Sequence, residues 1–159
     1  MRILWSPWRY QYVKTLAGAQ ECLFCKLQGA RDDEAYIVYR GRFNFVVLNT
    51  FPYNTGHVMV APYRHVDSLE KMSDEELLEL MQLVNKSMAA IRKSLNPEGF
   101  NIGVNIGRPA GAGVPGHVHV HVVPRWTGDS NFMPVVAETK TLPMALSEVY
   151  KLLKENWPS

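Results

Sequence analysis

Runs of apolar residues in the first part of the chain have the short lengths and composition of β-strands. Residues 36–39 and 43–49 are rich in β-branched and aromatic side chains and flank a short turn around Gly41. This pattern predicts a β-hairpin. A third strand is predicted over residues 57–61, ending at Pro62. Short connections between successive strands favour antiparallel pairing.

The apolar spacing then changes to that of a helix. Ser73 and Glu76 are placed as a capping box, in which each side chain satisfies a backbone amide of the first turn. Helical spacing follows until the sequence Asn96-Pro97-Glu98-Gly99, which ends the helix. Its apolar residues alternate spacings of four and three and should cover one face of the sheet: Leu77, Met81, Val84, Met88, Ile91 and Leu95.

Two further strands are predicted over residues 100–106 and 117–123, with a short edge strand over 132–136. A final helix should follow Pro143, where apolar residues return at helical spacing. The predicted fold class is therefore α+β: an antiparallel sheet of about five strands with one long helix and a C-terminal helix packed on it.

The overall composition narrows the class of protein. A chain of 159 residues fits a single domain over residues 1–159, in which residues 1–30 form an aromatic N-terminal arm. A net charge of +2 is too small to indicate a nucleic-acid surface. The chain shows no signal peptide and no apolar run that could cross a bilayer. We expect a cytoplasmic protein without nucleic-acid or membrane partners.

A cysteine pair, Cys22 and Cys25, lies in the predicted arm. In a reducing compartment, two cysteines separated by two residues indicate a metal or redox pair more than a structural disulfide.

Three histidines alternate with valines in the predicted strand 117–123. Because side chains alternate between the faces of a strand, His117, His119 and His121 share one face and the valines face the core. Imidazoles titrate near neutral pH and serve both nucleophilic and metal chemistry. Three aligned imidazoles therefore indicate a functional site, since a passive surface does not require them.

The loop before these histidines, residues 107–116, contains four glycines and two prolines. Its segment 111–116 offers backbone amides that bulky side chains do not shield. A flexible turn would have a similar composition, but the adjacent histidines favour a cradle for a phosphate.

The segment His117-Val118-His119-Val120-His121 resembles the motif of the histidine triad family of nucleotide hydrolases and transferases. Further similarity covers most of the chain up to Arg125. The segments Trp5-Ser6-Pro7-Trp8-Arg9 and Pro124-Arg125-Trp126-Thr127-Gly128-Asp129 resemble the bacterial branch that includes diadenosine tetraphosphate phosphorylases.

The resemblance implies a mechanism and a substrate class. In that family the middle histidine, here His119, attacks the α-phosphorus of a nucleotide and forms a nucleotidyl-histidine intermediate, which water or another acceptor then resolves. His121 would lie near the phosphate. A backbone carbonyl or a polar neighbour would fix the tautomer of His119. The implied substrates are nucleotides or dinucleoside polyphosphates, the implied assembly is a homodimer, and no organic cofactor is expected.

The resemblance also implies a set of nucleotide-binding residues. Asn49 matches a ribose contact, Phe24 and Leu48 match residues that enclose the base, and His57 and Asn105 match residues near ribose or phosphate. Each of these could instead have a purely local role in the core or at a turn. Gly113 and Val114 stand where relatives often carry a polar residue facing the phosphate, so the contact to the leaving group is open.

Relatives with the same cysteine pair bind zinc with it, a histidine matching His65 and the first histidine of the triad. The implied ligands here are Cys22, Cys25, His65 and His117, which form a structural zinc site. His117 would then be anchored instead of being free for proton transfer. The alternative interpretations are two buried thiols or a redox pair.

Three functional hypotheses remain from the sequence. The leading one is a nucleotidyl hydrolase or transferase, with the choice between water and phosphate as acceptor left open. The second is a metal-dependent hydrolase whose three histidines hold a catalytic ion, although no nearby carboxylate completes the ligand shell. The third is a nonenzymatic nucleotide sensor or zinc-stabilised adaptor.

Overall fold

Five strands in the described part of the chain form one antiparallel sheet. In the computed structural model the described residues are 21–129 and 142–159. Most of the predicted N-terminal arm and the predicted strand 132–136 therefore lie outside them. The strands are β1 Ile37–Arg40, β2 Asn44–Leu48, β3 Val58–Pro62, β4 Gly99–Val104 and β5 Val120–Arg125. Their spatial order is β1-β2-β3-β5-β4. This arrangement, with helices on the sheet, confirms the predicted α+β class.

Within the described residues, four α-helices accompany the sheet: α1 Leu23–Gln28, α2 Asp32–Ala35, α3 Asp74–Leu95 and α4 Leu146–Glu155. The long helix α3 packs across β2, β3 and β5, while α4 packs on α3 and β1. Helices α1 and α2 were not predicted, because segments this short carry too little periodic signal. Over the part of the chain that is described, no helix combines the length and hydropathy needed to span a bilayer.

The sheet separates two apolar clusters. Its helix-facing side buries alternate residues of β5 and of the segment before it, Val118, Val120 and Val122, beneath α3 and α4. On the other side a smaller cluster contains Phe24 of α1. The other members of this cluster are Ala35, Ile37, Phe45, Val47, Met59 and Ala61. The histidines alternate with the three valines and therefore lie on the side of the sheet that carries Phe24.

The start of helix α3 confirms the predicted capping box. The Ser73 hydroxyl accepts the amide of Glu76, and the Glu76 carboxylate accepts the amide of Ser73. Most of the predicted stripe is also confirmed: Val84 and Ile91 are buried, and Leu77, Met88 and Leu95 pack against the same cluster. Met81, however, is 51% exposed, and Leu80 and Leu83 are buried in addition.

The triad strand begins later than predicted. Ladder pairing of β5 with β3 and β4 starts at Val120, so His117 and His119 precede the strand. The Val118 amide instead donates to the Val66 carbonyl at 2.7 Å, outside the sheet ladder. Alternation nevertheless continues through this segment, since Val118 is 2% exposed in the helix-side cluster.

We predict that Glu76→Gln lowers stability at neutral pH by about 1 kcal/mol. The Arg64 guanidinium, bonded to Glu76 at 2.7 Å and 2.9 Å, lowers the pKa of this carboxyl from 4.5 to about 2, with help from the Ser73 amide. A depressed folded-state pKa contributes stability that is present above about pH 4.5 and lost as the pH falls toward 2. Thermal melts from pH 7 to pH 2.5 would measure this.

In those melts the melting temperature of Glu76→Gln should approach that of the wild-type protein at pH 2.5. Glu75→Gln, at the exposed neighbouring position of the same helical turn, is the matched control and should change little. Equal losses at pH 7 and pH 2.5 would contradict the assignment.

Candidate active site and metal centre

His119 is held in one tautomer by the backbone. Its Nδ1 lies 2.9 Å from the carbonyl oxygen of His117. A carbonyl can only accept, so Nδ1 carries the proton and Nε2 keeps its lone pair. The side chain is buried, with 4% exposed. The sequence-based expectation that a backbone carbonyl orients this ring matches the observed contact.

Burial also keeps His119 uncharged. Desolvation lowers the pKa of the His119 imidazole below its ordinary value of 6.5, although the bond to the His117 carbonyl acts in the opposite direction. Desolvation lowers the pKa of His117 as well. At neutral pH, His119 therefore presents a neutral ring whose Nε2 is a competent nucleophile.

A second pair of histidines, His57 and His121, is joined directly. His57 Nε2 lies 2.9 Å from His121 Nδ1. The other nitrogen of His57, Nδ1, accepts the backbone amide of Tyr53 at 3.1 Å and lies 3.4 Å from the side-chain nitrogen of Asn49. Because Nδ1 of His57 is an acceptor, the proton of this neutral ring must be on Nε2.

The assignment at His57 determines the tautomer of His121. His57 Nε2–H donates to His121 Nδ1, so His121 carries its own proton on Nε2. The His121 ring lies against His119, with ring centroids 4.8 Å apart, and against the ring of Tyr53 at 5.6 Å. Adjacent rings thus present opposite functions at Nε2: a lone pair on His119 and an N–H donor on His121.

Phe24 and Asn49 lie beside these histidines. The Phe24 ring is fully buried, with its centroid 4.7 Å from that of His119 and 5.2 Å from that of His117. Asn49 is 6% exposed and approaches His57. Its side-chain oxygen accepts the amide of Phe51 at 2.9 Å, which orients the side chain.

Leu48 does not join this group. It is 2% exposed and belongs to the helix-side cluster with Val118 and Val120. The preceding residue, Val47, is 1% exposed and lies in the cluster of Phe24. Strand alternation places Val47 on the same side as Asn49, so this pattern could have indicated Val47 from the sequence.

The glycine-rich loop ends directly at the histidines. Asn105 follows β4, and a short 3₁₀ turn, Arg108–Ala110, leads to Gly111, whose φ of +91° is in the left-handed region. Val114 packs against the cluster of Phe24, which brings the loop to the histidine side of the sheet. Gly113, the residue before it, is half-buried.

The four predicted metal ligands converge. One nitrogen or sulfur atom from each of Cys22, Cys25, His65 and His117 lies within 4.8 Å of all the others. His117 Nδ1 is 3.4 Å from Cys22 Sγ and 3.7 Å from Cys25 Sγ, and His65 Nδ1 is 3.3 Å from Cys25 Sγ. Sulfur and nitrogen ligands on a tetrahedral zinc ion are separated by about 3.6 Å. The spacing of this set therefore suits zinc.

A backbone carbonyl orients His117 toward the thiols. Its Nε2 lies 2.8 Å from the carbonyl oxygen of Pro62 and must carry the proton, which leaves Nδ1 free to coordinate. Metal-binding histidines are commonly fixed in this way by a bond to the second nitrogen.

A buried neutral histidine, an N–H donor on the next ring and a glycine-rich loop on an antiparallel sheet together define a protein of the histidine triad class. The HIT domain family matches residues 30–128. The chain belongs to this family.

Relatives and solved structures agree with this assignment. The chain is 39% identical to an AP-4-A phosphorylase from Mycobacterium tuberculosis, over 97% of this chain and 83% of the relative. It is 38% identical to an asymmetrical bis(5'-nucleosyl)-tetraphosphatase from Schizosaccharomyces pombe, over 58% of this chain and 50% of the relative.

Among solved structures, a Zn-bound histidine triad family protein from Mycobacterium smegmatis superposes with a TM-score of 0.69. That match covers 87% of this chain and 94% of the other at 27% identity.

We predict distinct histidine tautomers by ¹⁵N NMR of histidine-labelled protein at pH 7.5. His119 should show the Nδ1–H form, because the His117 carbonyl can only accept. His121 should show the Nε2–H form, because the Tyr53 amide fixes His57, which donates to His121 Nδ1. The variants His119→Gln and His121→Gln would assign the signals. An Nδ1–H form at His121 would contradict the His57 contact described above.

Proposed function

We propose that the protein transfers the nucleotidyl group of a dinucleoside polyphosphate through a covalent intermediate on His119. His119 Nε2 attacks the α-phosphorus, the bond from that phosphorus to the bridging oxygen breaks, and the remaining nucleotide leaves. An acceptor oxygen then attacks the same phosphorus and breaks the N–P bond. The observation that carries the proposal is the buried, neutral His119, whose Nδ1–H is bonded to the His117 carbonyl.

The surroundings of His119 suit this chemistry. When Nε2 bonds to phosphorus, the ring gains positive charge, and the carbonyl that accepts from Nδ1–H stabilises that charge. His121 Nε2–H donates to the phosphate oxygens where negative charge grows as the leaving group departs. The amides of the loop before His117 add further donors for the same oxygens.

We propose inorganic phosphate as the acceptor. Support comes from the AP-4-A phosphorylase of Mycobacterium tuberculosis, which aligns with 97% of this chain, whereas the tetraphosphatase aligns with 58%. With diadenosine tetraphosphate, phosphate attack on the adenylyl intermediate gives ADP, and the first step has already released ATP.

The nucleoside would be bound on the histidine side of the sheet. We assign Asn49 to the ribose and Phe24 with Val47 to the apolar wall near the base, because these residues share the side that carries His119. Asn105, Gly113 and Val114 would line the phosphate path, and His57 would act through His121. Leu48 is a less suitable base contact because of its position in the helix-side cluster.

We further propose that Cys22, Cys25, His65 and His117 hold a structural zinc ion. The converging donors support this, as does the Zn-bound relative from Mycobacterium smegmatis. Bound there, zinc would tie the segment before α1 to the residue whose carbonyl orients His119. Burial and the neighbouring Cys22 raise the pKa of the Cys25 thiol, a cost that a divalent cation would offset.

We propose a homodimer and a cytoplasmic location. Strand β4 forms one edge of the sheet among the described strands, and its Ile102 is 45% exposed with Ile106 nearby at 43%. An exposed sheet edge with apolar side chains is a surface that a second copy could cover. The free thiols of Cys22 and Cys25 suit a reducing compartment.

The geometry disfavours a catalytic ion on the triad. His119 Nδ1 and His117 Nε2 are bonded to carbonyls, and within the described residues the cluster able to hold a metal comprises the two cysteines with His65 and His117. A nonenzymatic nucleotide sensor would require that His119→Ala preserve the biological effect of the protein.

We predict phosphate-dependent cleavage of diadenosine tetraphosphate to ADP and ATP. His119→Ala should reduce the rate by about 10⁴-fold or more, because the nucleophile is lost. The adenylyl-histidine should be trapped by an alkaline quench, since phosphoramidates are labile in acid. AMP and ATP formed without phosphate would instead show hydrolysis, and failure to turn over any adenylyl substrate would contradict the proposed function.

Zinc content gives a separate prediction. Cys22→Ser should lower bound zinc well below one ion per chain and lower the melting temperature by more than about 5 °C. Cys22→His, which keeps a nitrogen ligand, should retain more zinc than the serine variant. Metal analysis by mass spectrometry with thermal melts would measure both. A wild-type protein that is fully stable without zinc would contradict the proposal.

A further inference from the structure

A buried carboxylate, Asp129, joins the end of β5 to the turn before His57. Its oxygens accept hydrogen bonds from Arg125 Nε at 2.6 Å, Arg125 Nη2 at 2.7 Å, Asn54 Nδ2 at 2.7 Å and the Trp126 amide at 3.1 Å. Arg125 is held in turn by the side-chain oxygen of Asn101 on β4 at 2.7 Å. No step of the proposed reaction uses this cluster.

The Asp129 carboxylate is a permanent charge. Its side chain is only 8% exposed, and the Arg125 guanidinium holds the pKa of this carboxyl well below its ordinary range. An ionised buried carboxylate requires donors to replace its lost hydration, and these donors converge on it. The cluster therefore acts as a fixed anchor at any pH at which the protein would work.

Asn54, which donates to Asp129, lies in the turn whose backbone forms hydrogen bonds with His57. Its side chain is bound at two points, to Asp129 and to the Pro124 carbonyl of β5 at 3.1 Å, and the residue is 7% exposed. Its own carbonyl accepts the His57 amide at 3.1 Å. The residue immediately before it, Tyr53, supplies the amide that bonds to His57 Nδ1.

The turn is also confined from the helix side. Gly56 has a φ of +83°, and a Cβ atom at this position would lie 2.6 Å from Leu95 Cδ1 of α3. The turn is thus held against β5, the strand that carries His121. Asp129 and Pro124 hold it on one side, and the end of α3 confines it on the other.

We propose that Asp129 is a positioning residue for the His57–His121 pair. By holding Asn54 against β5, it keeps the Tyr53 amide on His57 Nδ1, which keeps the proton of His57 on Nε2 and that of His121 on its own Nε2. The kinetic consequence rests on the proposed function, in which His121 Nε2–H donates to phosphate oxygens as the leaving group departs. The tautomer itself does not depend on any activity.

The spectroscopic test is Asp129→Asn in histidine-labelled protein. An asparagine has one acceptor oxygen and places an NH₂ group among donors, so the contact to Asn54 should weaken. His121 should then change from the Nε2–H form to a mixture with the Nδ1–H form, while His119 keeps its Nδ1–H form. Asn54→Ala should produce the same change. It replaces Asp129→Asn as the test variant if the latter folds poorly.

The kinetic test compares two leaving groups. With diadenosine tetraphosphate, kcat of Asp129→Asn should fall about tenfold with little change in KM, because charge develops on the departing phosphate oxygen. With the p-nitrophenyl ester of AMP, His119 expels p-nitrophenolate, whose charge is delocalised over the ring. For this ester, kcat of Asp129→Asn should fall by less than about twofold.

Thr127→Ala is the matched control in the same loop. It removes the hydroxyl bond to Glu98 and leaves the Asp129 contacts to Asn54 in place. This variant should lose some thermal stability but keep the His121 tautomer and the wild-type ratio of the two rates.

Two outcomes would overturn the proposal: a wild-type His121 tautomer in both Asp129→Asn and Asn54→Ala, or equal losses with both substrates. Either would mean that Asp129 only stabilises its loop. Absence of turnover by the wild-type protein would overturn the proposed function alone, since the tautomer measurement would still decide the role of Asp129.

Discussion

The hydrogen bond from His119 Nδ1 to the His117 carbonyl is the contact on which the site depends. It turns an ambiguous imidazole into one with a defined lone pair at Nε2, and burial then keeps that ring neutral. The carbonyl is itself fixed, because the His117 ring is bonded to Pro62 on one side and faces the two thiols on the other. Val118, between the two histidines, is locked into the core.

Backbone groups thus decide where the protons lie on the histidines of the site. The His117 carbonyl fixes the tautomer of His119, and the Pro62 carbonyl fixes that of His117. The Tyr53 amide fixes the tautomer of His57 and, through it, that of His121. Carbonyls and amides do not titrate. Their direction is fixed by the fold, so a lone pair at His119 Nε2 and an N–H at His121 Nε2 can lie on adjacent rings that carry the same charge.

Sequence patterns predicted the parts of the fold that rest on local physics. The capping box marked the start of α3, and alternation in the triad segment separated the core valines from the histidines. Features that depend on tertiary contacts could not be predicted from local sequence patterns. The start of β5 depends on the pairing of Val120 with Val60 of β3 and Val104 of β4, and the short helices α1 and α2 lack a periodic signal. Strand alternation could have favoured Val47 over Leu48 as the residue on the histidine side of the sheet. The contact of His57 with His121 could not have been predicted from local patterns, because it joins residues 64 positions apart.

The same long separations shape how the molecule is made. Cys22 and His117 are 95 positions apart, and the strand that carries His121 enters the sheet between two strands formed from earlier residues. A chain that is still emerging from the ribosome can pair β1, β2 and β3 but cannot yet orient His119. Because contacts of high sequence separation form late and slowly, the site should assemble in the last stage of folding. Partially folded chains would therefore expose two thiols and an unpaired position in the sheet, and their His119 would lack its fixed tautomer.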